Sequence, residues 1–209
     1  MDTLFFTLAT LSYYGLTLYE WIIIIAILIS WVHPDPNNPI IRFLNGMTRP
    51  VWDWIATRLP TSLSHFAAYF SLLLVWFLII FAPGVFHTLG QATADTIPVS
   101  SIPLKTFGFF LLGLGVVLRN LLFFIIILLL IWFFLTLVNP SINNPIVRTI
   151  FILVDPFITP LQKWLPRSKV DFSPLVMAGM LAFLNVVAIS GLIELAAEMT
   201  NGGLSGFQM

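Results

Sequence analysis

The segment SWVHPDPNNPIIRFLNGMTRPVWDWIATRLP, Ser30 to Pro60, returns without a gap 106 residues later as TLVNPSINNPIVRTIFILVDPFITPLQKWLP, Thr136 to Pro166. Ten of the 31 aligned positions are identical: Val32/Val138, Pro34/Pro140, Asn37/Asn143, Asn38/Asn144, Pro39/Pro145, Ile40/Ile146, Arg42/Arg148, Pro50/Pro156, Leu59/Leu165 and Pro60/Pro166. Chance pairing in an apolar chain matches Leu with Ile, not prolines, asparagines and arginines. The chain is an internal duplication, and any fold for it has to be built from two like halves.

Those halves belong in a membrane. Of 209 residues 59% are apolar and only 9% charged, and the mean hydropathy is +1.00, a composition foreign to soluble domains. The formal net charge is zero, so the balance points neither to nucleic acid nor to an acidic substrate, and no nucleic-acid partner is expected. With no cysteine there is no disulfide, thiolate metal site or thiol nucleophile. The N-terminus lacks the basic stretch of a cleavable signal peptide, so the first helix is expected to stay as an anchor.

Four stretches are apolar enough to cross about 30 Å of hydrocarbon, which takes ~20 helical residues. They cover about residues 4–32, 62–82, 107–138 and 174–197. The chain then divides into a first repeat over 1–83, a linker loop over 84–106 rich in Gly, Pro, Ser and Thr, a second repeat over 107–197 and a flexible tail over 198–209. Gly108, Gly113 and Gly115 in the third span mark places for close backbone approach. Arg42, Arg49, Arg58, Arg148, Lys163, Arg167 and Lys169 lie in or beside the two motifs, against Lys105 alone on the other side and Arg119 within a span. That asymmetry puts both motifs in the cytoplasm and both termini on the periplasmic side, with the halves in parallel topology.

Within each motif, Asn38-Pro39 and Asn144-Pro145 read as an N-cap followed by proline at the first helical position, where its missing N–H is harmless. In the first copy Phe43, Leu44, Met47, Val51, Trp54 and Ile55 fall within an arc of about 120° at the helical period, with Arg42, Asn45, Arg49 and Asp53 opposite. Pro50 and Pro156, the latter behind Asp155 as a second cap, predict a bend between two short helices. The expected fold is therefore all-α: four transmembrane helices as two parallel two-helix repeats, each with a Pro-bent amphipathic interfacial elbow over 33–60 or 139–166. Trp52, Trp54 and Trp164 would sit there at the depth indoles prefer, with Arg and Lys toward anionic lipid. Arg42 and Arg148 either hold the elbow in place or dock a lipid phosphate or a partner protein.

The Asn-Asn-Pro-Ile-x-Arg elbows, the aromatic and proline rhythm ending in Leu-Pro, and Asp171-Phe172-Ser173-Pro174 at the head of the last span resemble the bacterial YggT family, represented in chloroplasts and cyanobacteria by YlmG-type proteins. The likeness covers nearly the whole chain, in the two-repeat bacterial form. It implies a four-span protein of the bacterial inner membrane without established enzymatic activity. Relatives are connected with haem attachment in cytochrome b6 assembly, nucleoid distribution and division, and osmotic tolerance. The chain departs from the family twice. Ala26 stands where many relatives carry Arg, and the Asp-x-Ser-Pro element occurs only in the second half, with His65, Phe66 and Ala67 opposite Asp171, Phe172 and Ser173.

Of the polar residues within the spans, Glu20, Asn185, Arg119 and Glu194 are the candidates for a role. Counted at the helical rise, Glu20 lies roughly 18 Å from the cytoplasmic surface and Asn185 at a similar depth. A carboxylate there has to face protein or water or be protonated, so the two are expected to share one interior site, unless the long first helix is shifted and Glu20 lies nearer an interface. Arg119 and Glu194 fall near the outer boundary, about 28 to 30 Å away, as a salt bridge or as snorkelling side chains. His33, His65 and His87 are scattered, and no metal, cofactor, phosphate loop or nucleophile-base arrangement is expected. The expected function is a non-enzymatic membrane scaffold or assembly factor, its elbows contacting lipid headgroups, other membrane proteins or copies of itself. The alternative is a small oligomeric channel or transporter linked to osmotic or ion homeostasis, with Glu20 and Asn185 in its polar path.

Overall fold

Apolar runs of this length fold as helices because a helix satisfies its own backbone hydrogen bonds where no water can. The computed structural model describes residues 2–32, 35–138, 144–163 and 171–200, and all regular structure among them is helical. The order is α1 (Asp2–Ser30), α2 (Pro39–Ala56), a short turn Ser64–Phe66, α3 (Ala67–Thr93), a second turn Val99–Ser101, α4 (Ile102–Val138), α5 (Pro145–Gln162) and α6 (Ser173–Leu184). A π-helical turn, Asn185–Ile189, carries α6 on into α7 (Ser190–Met199). Among the described residues, five helical stretches are long and apolar enough to cross a membrane: Asp2–Ser30, Ser64–Thr93, Val99–Val138, Pro145–Gln162 and Ser173–Met199. Four of them answer to the expected spans. The fifth is α5, which reaches that length and composition although its residues read as an elbow.

Proline does not punctuate these helices as expected. α2 continues through Pro50, and α5 through Pro156 and Pro160. Asp155, read as a cap, lies inside α5 and accepts a hydrogen bond from Thr159 Oγ1 at 2.8 Å. A proline inside a helix costs about 3 kcal/mol. In α2, Leu44 and Thr48 ahead of Pro50 and Ile55 behind it are buried together, and in α5, Val147, Ile150, Val154 and Ile158 bracket Pro156 in the same way. Breaking either helix would sacrifice half of that packed face. α3 likewise runs through Pro83 and Gly84 to Thr93, so the expected linker shrinks to residues 94–98 before the Val99–Ser101 turn. The Phe109 ring lies directly on Gly84, where any Cβ would collide with it. The last helix persists to Met199, and the expected tail beyond Thr200 lies outside the described residues. So do His33, Pro34, Pro140, Asn143, Trp164, Pro166, Arg167 and Lys169 of the motifs and their flanks.

The described residues form two compact units that do not follow the repeat boundaries. One draws on Met1–Leu28, Pro34–Val117 and Gly191–Met209, the other on Ile29–His33 and Leu118–Ser190. In the first, Ile80, Phe109, Leu112, Val116 and Ala196 make a core. A Cβ added at Gly113 would press on Phe77, and one at Gly115 on Ile193, so the α4 glycines do admit the close approach expected of them. In the second unit Leu128, Leu129, Ile150, Val154, Ile158 and Ala178 join α4, α5 and α6. On α1, Leu4, Leu11 and Leu18 are 61%, 64% and 66% exposed, a strip at seven-residue spacing that suits acyl chains and not water.

Candidate functional site

The first motif builds its helix from the cap upward. Asn38 Oδ1 accepts from the Ile40 N–H at 2.9 Å, and Pro39 opens α2. Asn144 Oδ1 accepts from the Ile146 N–H at 2.9 Å, with Pro145 opening α5. Both caps are as the sequence requires. Ahead of α2 the loop is held by the Asn37 N–H donating to Asp35 Oδ1 at 2.9 Å.

From that start α2 presents three faces. Ile41, Leu44, Thr48 and Ile55 are buried. Ile40, Phe43, Met47 and Trp54 are exposed. On the third side Arg42, Asn45, Gly46, Arg49, Pro50 and Asp53, with Pro36 of the preceding loop, line an open groove of about 520 Å³. The single apolar arc expected from the sequence is therefore divided: Leu44 and Ile55 pack inward, while Phe43, Met47 and Trp54 face out. Arg58 is engaged nearby, its guanidinium 3.8 Å over the Trp54 ring and donating to the Trp54 carbonyl at 2.9 Å. Arg42 and Arg49 have no ion-pair or hydrogen-bond partner for their guanidiniums among the described residues.

α5 repeats much of the packing but carries different residues on its polar side. Val147, Ile150 and Val154 are buried at the positions of Ile41, Leu44 and Thr48. On the polar side Phe151, Ile152, Asp155 and Thr159 replace Asn45, Gly46, Arg49 and Asp53. Arg148 therefore shares its face with an aspartate and two large apolar side chains, both exposed.

Downstream, Asp171 ties the end of α5 to the start of α6. Its Oδ1 accepts from the Ser173 N–H at 2.9 Å and its Oδ2 from Gln162 Nε2 at 2.6 Å. Partial burial pushes the carboxyl up, but the hydrogen bonds from Ser173 and Gln162 outweigh it and hold the group below the usual carboxylate range. Ser173 and Pro174 are buried in the first turn of α6.

Within the spans, Glu20 Oε1 accepts from Trp76 Nε1 at 2.7 Å. The sequence reading missed this partner, 56 residues away, although an indole N–H in the middle of a span needs an acceptor and was the available signal. Next to it the Tyr19 hydroxyl donates to the Met47 carbonyl at 3.1 Å, fastening α1 to α2. Asn185 is buried where the π-helical turn begins, and its carbonyl accepts from Ser190 Oγ at 3.4 Å. Glu20 and Glu194 belong to the first compact unit, Asn185 and Arg119 to the second. Lys105, the basic residue expected on the outer side, is only 6% exposed and its Nζ reaches Gln91 Oε1 at 3.3 Å. Thr17 Oγ1 and Trp52 Nε1 are buried without a partner among the described residues, and no metal-holding cluster of His, Asp or Glu occurs among them.

The sequence of the chain finds a match among known proteins. The CCB3/YggT family model matches residues 5–90 and 111–192, one stretch in each half. The chain belongs to the CCB3/YggT family. It is similar to the uncharacterized protein YggT of Escherichia coli K12, with 25% identity over 98% of each chain. The uncharacterized YggT proteins of E. coli O6:H1 and O157:H7 match at the same 25% identity and 98% coverage. No solved structure matches. Family membership and the apolar helices make this a membrane protein, and the resemblance read from the Asn-Asn-Pro-Ile-x-Arg motifs was the correct one.

Proposed function

We propose that this CCB3/YggT protein is a non-enzymatic scaffold or assembly factor of the bacterial inner membrane, with four spans and with α2 and α5 as elbows in the cytoplasmic headgroup layer. The three faces of α2 carry the reading. A helix crossing hydrocarbon gains nothing from exposing Arg42, Asn45, Arg49 and Asp53 along one side. One lying in the interface sets them among headgroups, dips Phe43, Met47 and Trp54 toward acyl chains and keeps Leu44 and Ile55 on the protein. α5 places Arg148, Asp155 and Thr159 in the same way. Its partners are the bilayer and other membrane proteins or copies of itself. The surface left to them is the exposed apolar one, such as the Leu4, Leu11 and Leu18 strip.

Topology is testable because the chain has no cysteine of its own. In single-cysteine variants Asp2→Cys and Glu198→Cys, an impermeant thiol reagent is expected to label both sites from the periplasm. Labelling of the Glu198→Cys site from the cytoplasm makes α5 a fifth span and removes its elbow. For the scaffold role, mild solubilisation followed by mass spectrometry is expected to recover a defined partner protein, whereas a lone homo-oligomer favours the channel. A lone monomer, or a liposome ion flux abolished by Glu20→Gln, defeats the scaffold.

A further inference from the structure

We infer that the groove on α2 is a binding site for the phosphate of an anionic phospholipid headgroup, present in the first elbow and absent from the second. The inference rests on the interfacial placement of the elbows proposed above. Arg42 and Arg49 are seven residues apart, two helical turns or about 10.5 Å of rise, a distance from which two long guanidinium side chains converge on one phosphate. Both are exposed and, although Asp53 lines the same groove, neither guanidinium is ion-paired with it or with another described carboxylate, whereas Arg58 is committed to Trp54. Guanidinium matches phosphate oxygens in charge and in donor geometry.

Room for the headgroup comes from Gly46, which lines the groove and whose Cβ position meets nothing within 4 Å. Asn45 adds a neutral donor and acceptor beside it. The ligand is a lipid rather than free phosphate because the same helix exposes Ile40, Phe43, Met47 and Trp54, an apolar strip for the acyl chains of the molecule whose phosphate sits in the groove. The second elbow cannot do this. Ile152 occupies the space left open at Gly46, Phe151 replaces Asn45, and Asp155 sets a negative charge where Arg49 stands.

The test uses the full chain in mild non-ionic detergent, titrated with phosphatidylglycerol or phosphatidylcholine and read by native mass spectrometry. The wild type is expected to retain one tightly held phosphatidylglycerol that phosphatidylcholine does not displace. Arg49→Asp, which installs the residue of the second half, and Gly46→Ile, which fills the groove and leaves both arginines, each weaken it by about tenfold or more. Arg148→Gln leaves it unchanged. Gly46→Ile points into open space, so its melting temperature stays that of the wild type and its loss of lipid is not a loss of fold. Equal retention in the wild type, Gly46→Ile and Arg49→Asp overturns the site, and equal loss with Arg148→Gln overturns the asymmetry. Displacement by excess inorganic phosphate assigns the groove to free phosphate and overturns the lipid. A bimane fluorophore on Phe43→Cys, quenched by brominated acyl chains, reports the elbow separately. Quenching without lipid selectivity rejects the groove alone, and no quenching rejects the interfacial placement with it.

Discussion

α2 and α5 descend from one segment, and they share three buried positions while differing on their other sides. Ile41, Leu44 and Thr48 are buried in α2, and Val147, Ile150 and Val154 are buried at the same repeat positions in α5. The outward side has diverged, with Arg49 against Asp155 and Gly46 against Ile152. Packing positions answer to shape and volume, so substitution there stays within apolar residues, apart from a Thr48 that satisfies its hydroxyl on the Leu44 carbonyl at 2.9 Å. The outward positions answer to whatever surrounds each helix. The two copies share three buried positions, and Ile55 in α2 and Ile158 in α5 complete those faces at different repeat positions.

The spans show the same contrast in reverse. At the repeat offset, Glu20 and Trp76 correspond to Ile126 and Ala182. The first half holds a polar tie inside the membrane where the second has Ile126 packed beside Leu128, Leu129 and Ile150. A carboxylate accepting an indole N–H at 2.7 Å replaces close apolar contact with one directional bond.

Each comparison can be broken by experiment, the largest effect first. If the inner faces are equivalent, Leu44→Ala and Ile150→Ala each lower stability by about 2–5 kcal/mol in detergent thermal unfolding, and a large difference between them refutes the equivalence. If the polar tie matters only to the first half, Glu20→Ala destabilises by about 1–3 kcal/mol by stranding the Trp76 N–H, Glu20→Gln by less, and Ile126→Val by about 0.5–1.5 kcal/mol. The two caps sharpen the comparison further. Asn38→Ala and Asn144→Ala are expected to cost about 1 kcal/mol each, with matched losses of helical circular dichroism.

The smallest effect belongs to the Asp171 clasp, which has no counterpart at His65 in the first half. Its carboxyl is depressed in the folded chain, so its contribution is present above the usual carboxylate range and fades as pH falls through the lowered folded value. Melting temperature measured down an acid series is expected to show that loss in the wild type and to lack it in Asp171→Asn. Identical acid profiles remove the clasp from the account.

Much of this was legible in the residues. The duplication, the Asn caps, the membrane class and the family follow from local chemistry: an asparagine before a proline can serve as a cap wherever it stands, and apolar runs of these lengths need lipid. The prolines were misread because a local rule set a break of about 3 kcal/mol against a continuous buried face that only packing reveals, as at Pro50 between Thr48 and Ile55. Pro83 misled in the same way, its helix held by Phe109 lying on Gly84.

By itself the sequence determined that there are two halves, where α2 and α5 begin, and that Arg42, Asn45, Arg49 and Asp53 share one side. Helical period and capping are properties of neighbours along the chain, and neighbours are what a sequence records. Tertiary structure alone decided that the apolar arc of α2 splits into a buried and an exposed face and that Trp76 is the partner of Glu20. Each of these depends on which surface another helix covers, and that is settled only when distant segments pack.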